Sequence, residues 1–440
     1  MPDVSSVEVI PIGNFTPHSI GVGNAGKMWV TTSSKCIVRI DPGNKMRTEI
    51  KHGAIPELSA GVMKDPLGRQ KIWFAAPAPP NDPDPIMEME TTGSYVVTVY
   101  PLENNAKAES ITLQTTEIPS TPTPITQYTL LFAEPENKYV GMLAIPNSGG
   151  VIDVISVEPN TWLWDVAVTT AADKQTHTYW VTGQQRTNNP PRAENGLYRR
   201  SPETKTWQRI MLPRGTAQKP FYVKADTSGN IWVTATSPNQ VLRYNPQTAT
   251  WRQQDLGDAV PQQMTFAPTG EVWVASSKGL HQFDRELSGP GSMVDVAGGA
   301  KGICIGSDGK LWYTNPTQKN VGRFALAAPV AGQSSRIGRT QVTYQGEYEL
   351  QEKEHVDRPL VVEYVANGRP VPGIPLTCRL EAEGATFDDN TRERVILTDQ
   401  RGQVVVPPVY AGDIEEEAVL SVGLGDTEIH ATSVLNIKPA

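Results

Sequence analysis

The residues of this chain that could carry chemistry are few and scattered. Its six histidines, His18, His52, His177, His281, His355 and His430, form no HxH or HExxH pair, so no local metal motif exists. Its three cysteines, Cys36, Cys304 and Cys378, are odd in number and widely spaced inside apolar runs. That is neither a disulfide framework nor a zinc pattern, and it predicts buried free thiols. One aromatic cluster stands apart: Thr-Trp-Leu-Trp-Asp at 161–165, expected just before a strand on the same face as Phe221 and Tyr222. A flat indole such as Trp162 or Trp164 beside amides suits stacking on a sugar or another ring, with core packing as the competing use.

The elements that must position these groups follow from a repeat. Residues 219–246 read as three strands around a Ser-Gly-Asn turn, with Ile231 and Val233 on one face and Trp232 and Thr234 on the other. The same turn-then-Trp signature recurs, placing anchors at Trp29, Trp73, Leu131, Trp180, Trp232, Trp273 and Trp312, separated by 39 to 58 residues. A period near that of a four-stranded blade, repeated around seven anchors, predicts a seven-bladed β-propeller over 1–328. Residues 7–12 alternate as a strand, and the last blade lacks a fourth strand of its own. The N-terminal strand is therefore expected to complete it, which removes an open sheet edge.

Small residues at 329–337 read as a linker, and beyond it the period disappears. Short alternating strands near 360–365, 374–380, 394–397, 403–406, 418–422 and 430–437 predict an all-β sandwich over 338–440. Two Pro-rich polar stretches after the anchor strands, 77–93 and 184–196, are expected to be loops rising from one face. A formal net charge of -8 with no basic run argues against a nucleic-acid partner. No apolar stretch is long enough to span a membrane as a helix. Residues 1–14 lack the pattern of a signal peptide, so the expectation is a cytoplasmic chain or one exported by a route without that mark.

Two resemblances add to this reading. The stretches TPHSIGVGNAGKMWVTTSSKCIVRID, KGICIGSDGKLWYTNPTQKNVGRF and residues 219–246 resemble the repeat of the streptogramin lyases, the virginiamycin B lyase family. NGRPVPGIPLTCRLEAEGATF and TDQRGQVVVPP resemble the bacterial immunoglobulin-like domains of invasin and intimin type adhesins, which implies a spacer or presenting role and an extracellular setting. In the lyases, one blade supplies a His general base at the start of its first strand and, fourteen residues on, a Glu that helps hold magnesium. Here only His18 occupies the His position, and Thr32 stands fourteen residues later. The other blades place about Ser59, about Asp165, Phe221, Gln262 and Lys301 at the His position; Ala76, Glu134, Gly183, Ala235, Ser276 and Asn315 take the Glu position. No blade holds both partners.

Two functions follow from that ring of polar groups. In the first, the propeller is a noncatalytic recognition protein without a cofactor. Its mouth, formed by His18, Glu134, Asp165, Gln262, Lys301 and Asn315 with Trp162, Trp164 and Tyr222 at the rim, binds a glycan, peptide or protein, and the sandwich presents it. In the alternative, the chain is a divergent magnesium-dependent carbon-oxygen lyase of a cyclic ester, with His18 as base and Glu134 or Asp165 as metal ligand.

Overall fold

The computed structural model describes residues 7–23, 26–33, 35–51, 60–67, 69–75, 86–100, 110–119, 125–134, 139–145, 152–157, 161–171, 173–185, 195–215, 218–267, 271–326, 341–342, 348–351, 361–366, 369–371, 373–381, 385–387, 391–399, 402–407, 409–411, 416–423 and 430–438. The chain divides into two compact units, Met1–Leu326 and Ala327–Ala440.

The first unit holds seven four-stranded sheets. Blades 1 to 7 run over 17–51, 60–100, 111–156, 161–210, 219–255, 261–295 and 303–324. Blades 1 to 6 pair their strands in chain order from the inner edge outward. Blade 7 has only Ile303–Ile305, Leu311–Asn315 and Asn320–Phe324 from the end of the unit, and Glu8–Pro11 adds its outer strand, with Glu8 opposite Arg323 and Pro11 opposite Asn320. Inner strands of successive blades touch all the way round, including blade 7 with blade 1, so the ring of this β-propeller is closed.

What holds neighbouring blades together is the anchor residue. Every one lies on its blade's second strand and is almost wholly buried, and each points into the interface with the next blade. Trp29 packs with Ile72 and Phe74 of blade 2, Trp180 with Ile231 and Val233 of blade 5, and Trp312 with Ile20 and Val30 of blade 1. Leu131 fills the same role against Leu163 and Val181. An indole removes roughly 150–250 Å² from water, about 4–6 kcal/mol of gross burial, so the anchors dominate inter-blade cohesion. Three indole N–H groups are satisfied by an aspartate of the preceding hairpin: Trp73 donates to Asp65 at 3.0 Å, Trp232 to Asp226 at 2.9 Å and Trp312 to Asp308 at 2.8 Å.

The second unit is also all β. Its five-stranded sheet orders Tyr348–Gln351, His430–Lys438, Glu416–Gly423, Pro375–Glu381 and Glu393–Leu397. A three-stranded sheet orders Gln341–Val342, Val361–Glu363 and Gln403–Val405. Leu376, Cys378 and Leu420 of the first sheet share one core with Val362 and Val404 of the second. The expected linker, 329–337, lies outside the described residues.

Three sequence expectations change. The stretch 77–93 is not a loop throughout: 76–85 lies outside the described residues, but Ile86–Glu90 is the third strand of blade 2. Its Met-Glu alternation buries Met87 and Met89 in the core, while Glu88 meets Lys71 at 2.9 Å and Arg69 at 3.1 Å. Of 184–196, residues 186–194 lie outside the described residues, whereas Gln184 and Gly196 belong to strands. Cys36 and Cys378 are buried free thiols, but Cys304 is only half-buried.

Ring closure has an ionic clasp. Glu8 bonds Lys45 of blade 1 at 2.5 Å and, in blade 7, Lys310 at 2.9 Å and Arg323 at 3.0 Å. Its carboxyl is held down at about 2, foremost by Lys45, then by Lys310 and Arg323. A depressed carboxyl stabilises the fold above its ordinary value of 4.5, and that contribution is lost as pH falls toward 2. Glu8→Gln is therefore expected to lower stability by about 1 kcal/mol at pH 7, a melting shift of about 2 °C, with the two melting curves converging near pH 2. A difference that persists undiminished at pH 2 would assign the effect to packing instead.

Candidate functional site

The mouth of the propeller is built by a repeated irregularity. Antiparallel pairing sets the start of each blade's first strand beside the end of its second, as Pro17 opposite Thr32 and Pro261 opposite Ser276. In five blades the first strand breaks register there: between Pro17 and Ile20, Ala60 and Val62, Leu163 and Asp165, Pro220 and Val223, and Pro261 and Met264. The extra residues, among them His18, Trp164, Phe221, Tyr222 and Gln262, leave the ladder. In blade 7 the matching place holds Lys301 and Gly302, just ahead of Ile303.

A bulge leaves a backbone N–H without its ladder partner, and burial of such a group is costly. In blades 1 and 5 a threonine two residues after the anchor takes it, and in blade 7 the same contact is made to Gly302, whereas blades 2 and 6 carry Ala75 and Ala275 there. Ser19 N–H donates to Thr31 Oγ1 at 3.0 Å, Tyr222 N–H to Thr234 Oγ1 at 3.3 Å and Gly302 N–H to Thr314 Oγ1 at 2.7 Å. The hydroxyl hydrogen then reaches the next blade in two cases: Thr314 donates to the His18 carbonyl at 2.9 Å, and Thr182 donates to the Phe221 carbonyl. The sequence signal for this contact is the Trp-x-Thr spacing at 29–31, 180–182, 232–234 and 312–314.

His18 and Lys301 are brought together: the Lys301 ammonium lies 2.8 Å from His18 Nδ1. An ammonium can only donate, so Nδ1 accepts and the remaining hydrogen of the neutral ring sits on Nε2. Burial first, and the Lys301 charge second, depress the imidazole to about 4. Gly302 makes room for this contact, since a Cβ there would stand 2.6 Å from the His18 carbonyl oxygen and 2.9 Å from Ser19 Cα. Gln263 of blade 6 also donates to Ser19 Oγ of blade 1, at 3.1 Å.

Asp165 is a staple between blades. It accepts from Ser110 ahead of blade 3, from its neighbour Val166 N–H at 2.8 Å and from Val223 N–H of blade 5 at 2.9 Å. Burial raises its carboxyl to about 6 against those bonds. Glu134 is buried at the end of its strand, where the absent side chain of Gly141 leaves room for its carboxylate. Asn315 is buried too, and its amide serves the adjoining loop, donating to the Ala297 carbonyl at 2.8 Å and accepting from Gln318 N–H at 3.0 Å. Thr32 donates to the Cys36 carbonyl at 2.5 Å. Ser59 lies outside the described residues.

The aromatic residues do not sit ahead of blade 4 but within its first strand, Thr161–Thr170. Trp164 leans on Phe221 of blade 5, with ring centroids 4.9 Å apart at 57°. The indole N–H groups of Trp162 and Trp164 are buried without a hydrogen-bond partner among the described residues. Tyr222 packs against the cluster around Trp232 and Met264. Gln262 and Lys301 share a depression of about 240 Å³ between blades 6 and 7, lined also by Ser277, Gly298 and Thr317. Among the described residues no cluster of three or more His, Cys, Asp or Glu residues is arranged to hold a metal ion.

Titration of His18 checks this geometry. Folding depresses its pKa, so the histidine costs stability as pH falls from 6.5 toward 4. The ring resonances of His18 are expected to titrate near 4 by NMR, and Lys301→Met should raise that midpoint only part of the way to 6.5, because burial is the larger cause. A midpoint near 6.5 in the unaltered protein would mean that the ring is not buried, and a midpoint unmoved by Lys301→Met would mean that the two side chains do not meet.

No family model matches the chain, and no curated protein matches it. Solved structures do resemble it. A streptogramin B lyase aligns with a TM-score of 0.55 at 17% identity, covering 73% of this chain and 97% of the lyase. A catalytically inactive virginiamycin B lyase from Staphylococcus aureus with quinupristin aligns with 0.55 at 15%, covering 73% and 99%. YCF48 bound to D1 peptide aligns with 0.50 at 11%, covering 74% and 98%. At these identities the likeness is one of fold: the chain carries a β-propeller of the kind found in streptogramin lyases and in a peptide-bound protein.

Proposed function

We propose that the propeller is a noncatalytic recognition module that takes a peptide, protein or glycan at the mouth carrying the bulged residues. The C-terminal unit serves as an immunoglobulin-like spacer or presenting module. The observation that carries this reading is the state of His18. Its Nδ1 accepts from Lys301 and its Nε2 holds the remaining hydrogen, so neither ring nitrogen offers a lone pair to a substrate proton. A general base works best with a pKa near the operating pH, and one at about 4 beside an ammonium is poorly matched to neutral conditions.

The donor set does not fit magnesium either. A hard cation needs several converging oxygens. Thr32 spends its hydroxyl hydrogen on a carbonyl, the two Asp165 oxygens receive three donors, and Glu134 is buried two blades from His18. What suits binding is a carboxamide and a tryptophan paired with a phenylalanine, held by bulges on a rigid ring. The peptide seen on another propeller of this fold is consistent with such a use.

Quinupristin with and without magnesium is the direct test. No ring opening above background is expected, and a peptide or glycan array is expected to yield a ligand whose binding falls at least tenfold in Trp164→Ala or Gln262→Ala. Magnesium-dependent ring opening that His18→Ala abolishes would establish the lyase instead.

A further inference from the structure

We infer that the axial channel of the propeller, below the mouth, binds one small monocarboxylate on the ammonium of Lys224. Register fixes the place. Lys224 stands opposite the anchor Trp232, and the other blades put Gly21, Met63, Thr112, Ala167, Thr265 and Cys304 opposite theirs. These seven residues form one tier around the axis, and Lys224 is its only charged member. Neighbouring residues of a strand face opposite ways: Val223 is buried in the core, whereas the Lys224 side chain is exposed. Its charge is felt by Asp165 of blade 4 on one side and by Cys304 of blade 7, two blades round, on the other. A side chain of blade 5 that reaches both lies toward the axis, so the space it is exposed to is the channel.

The ammonium carries three donors, and among the described residues it has no hydrogen-bond or ion-pair partner. Asp165 acts on it only from a distance, because its oxygens already receive Ser110, Val166 N–H and Val223 N–H. Cys304 supplies no anion, since burial pushes its thiol up to about 12. The other charged residues of the inner strands do not serve it either: Lys64 and Lys219 are cations, His18 accepts from Lys301, and Glu117 is bonded to Lys174 at 2.6 Å. Enclosure by protein lowers the pKa of Lys224 more than Asp165 raises it, the mark of a cation short of acceptors. A bound anion relieves that cost, and the Thr265 hydroxyl at the same tier adds a donor. One positive charge sets the ligand's charge. A phosphate carries about 1.5 to 2 negative charges at neutral pH and would leave an excess near Asp165, whereas a carboxylate carries one, with about four lone-pair sites for the donors.

The test uses the full chain at pH 7 and constant ionic strength, with 13C-labelled acetate as probe and its line broadening as readout. Acetate should bind, acetamide should not displace it, and inorganic phosphate should need at least tenfold more to do so. Lys224→Met, which gives blade 5 the residue type that Met63 gives blade 2, should weaken acetate at least tenfold with an unchanged melting temperature. Lys224→Arg should retain binding, and Lys174→Gln at the far end of blade 4 should leave it unaltered. A second measurement stands even if Lys224→Met does not fold: the lysine Cε resonance missing from Lys224→Arg should titrate below 10.5 in the unaltered protein and rise when acetate saturates it. No broadening, broadening indifferent to Lys224→Met, displacement by acetamide, phosphate as effective as acetate, or a Lys224 midpoint that acetate does not move would each overturn the site.

Discussion

The mouth depends on one exchange: a threonine hydroxyl stands in for a strand. To lift side chains out of the sheet, the first strand must bulge, and each bulge strands a backbone N–H in a place where water is scarce. Thr31, Thr234 and Thr314 accept that hydrogen, and Thr314 returns its own to the next blade at the His18 carbonyl. A hydrogen bond of this kind contributes only about 0.5–1.5 kcal/mol net, but leaving the group unpaired would cost about 1–3 kcal/mol at each blade. The hydroxyl satisfies the bulge where it is present, while blades 2 and 6 break register with Ala75 and Ala275 in that place; the bulge decides which side chains leave the ladder.

Given that frame, chemistry at the mouth is decided by which residue each bulge carries. His18 occupies the place that the lyase resemblance assigns to a base, yet the residue one blade away is a lysine. An ammonium at 2.8 Å converts the imidazole from a proton acceptor into a fixed acceptor for Lys301. Asp165 is diverted in another way. Its bulge in blade 4 turns the carboxylate toward the backbone N–H of Val223 and the hydroxyl of Ser110, so it joins three blades. Ser19 does the same work in blade 1, accepting from Gly61 N–H of blade 2 at 3.1 Å and from Gln263. Two positions that look functional in an aligned repeat are thus spent on cohesion.

The fold was legible in the sequence because its largest energy term is periodic. Trp29, Trp73, Trp180, Trp232, Trp273 and Trp312 fill equivalent interfaces, and even Leu131 could be placed by the spacing around it. The site was legible only in outline. Alternation reports which face a residue takes as long as the register holds, and each bulge resets that count just where the mouth begins. Hence Trp162 and Trp164 read as residues ahead of a strand that in fact contains them. Likewise Ile86–Glu90 read as an acidic loop, because Arg69 and Lys71, the cations that pair with buried Glu88, lie in another segment. Asn315 looked available since nothing in its own strand reveals that the loop after Val296 folds back onto it.

The ring's symmetry fails most at blade 7. Its inner strand has three residues where the others have five to ten, and Gly302 contributes no side chain ahead of it. Blade 1 and blade 6 meet there through Ser19 and Gln263, and Lys301 reaches His18. Blade 7 is also the blade assembled from both ends of the unit, with Glu8 tying its Arg323 and Lys310 to Lys45 of blade 1. Blade 7 thus closes the ring at both of its edges: its outer strand comes from Glu8–Pro11, and ahead of its inner strand Lys301 meets His18 of blade 1.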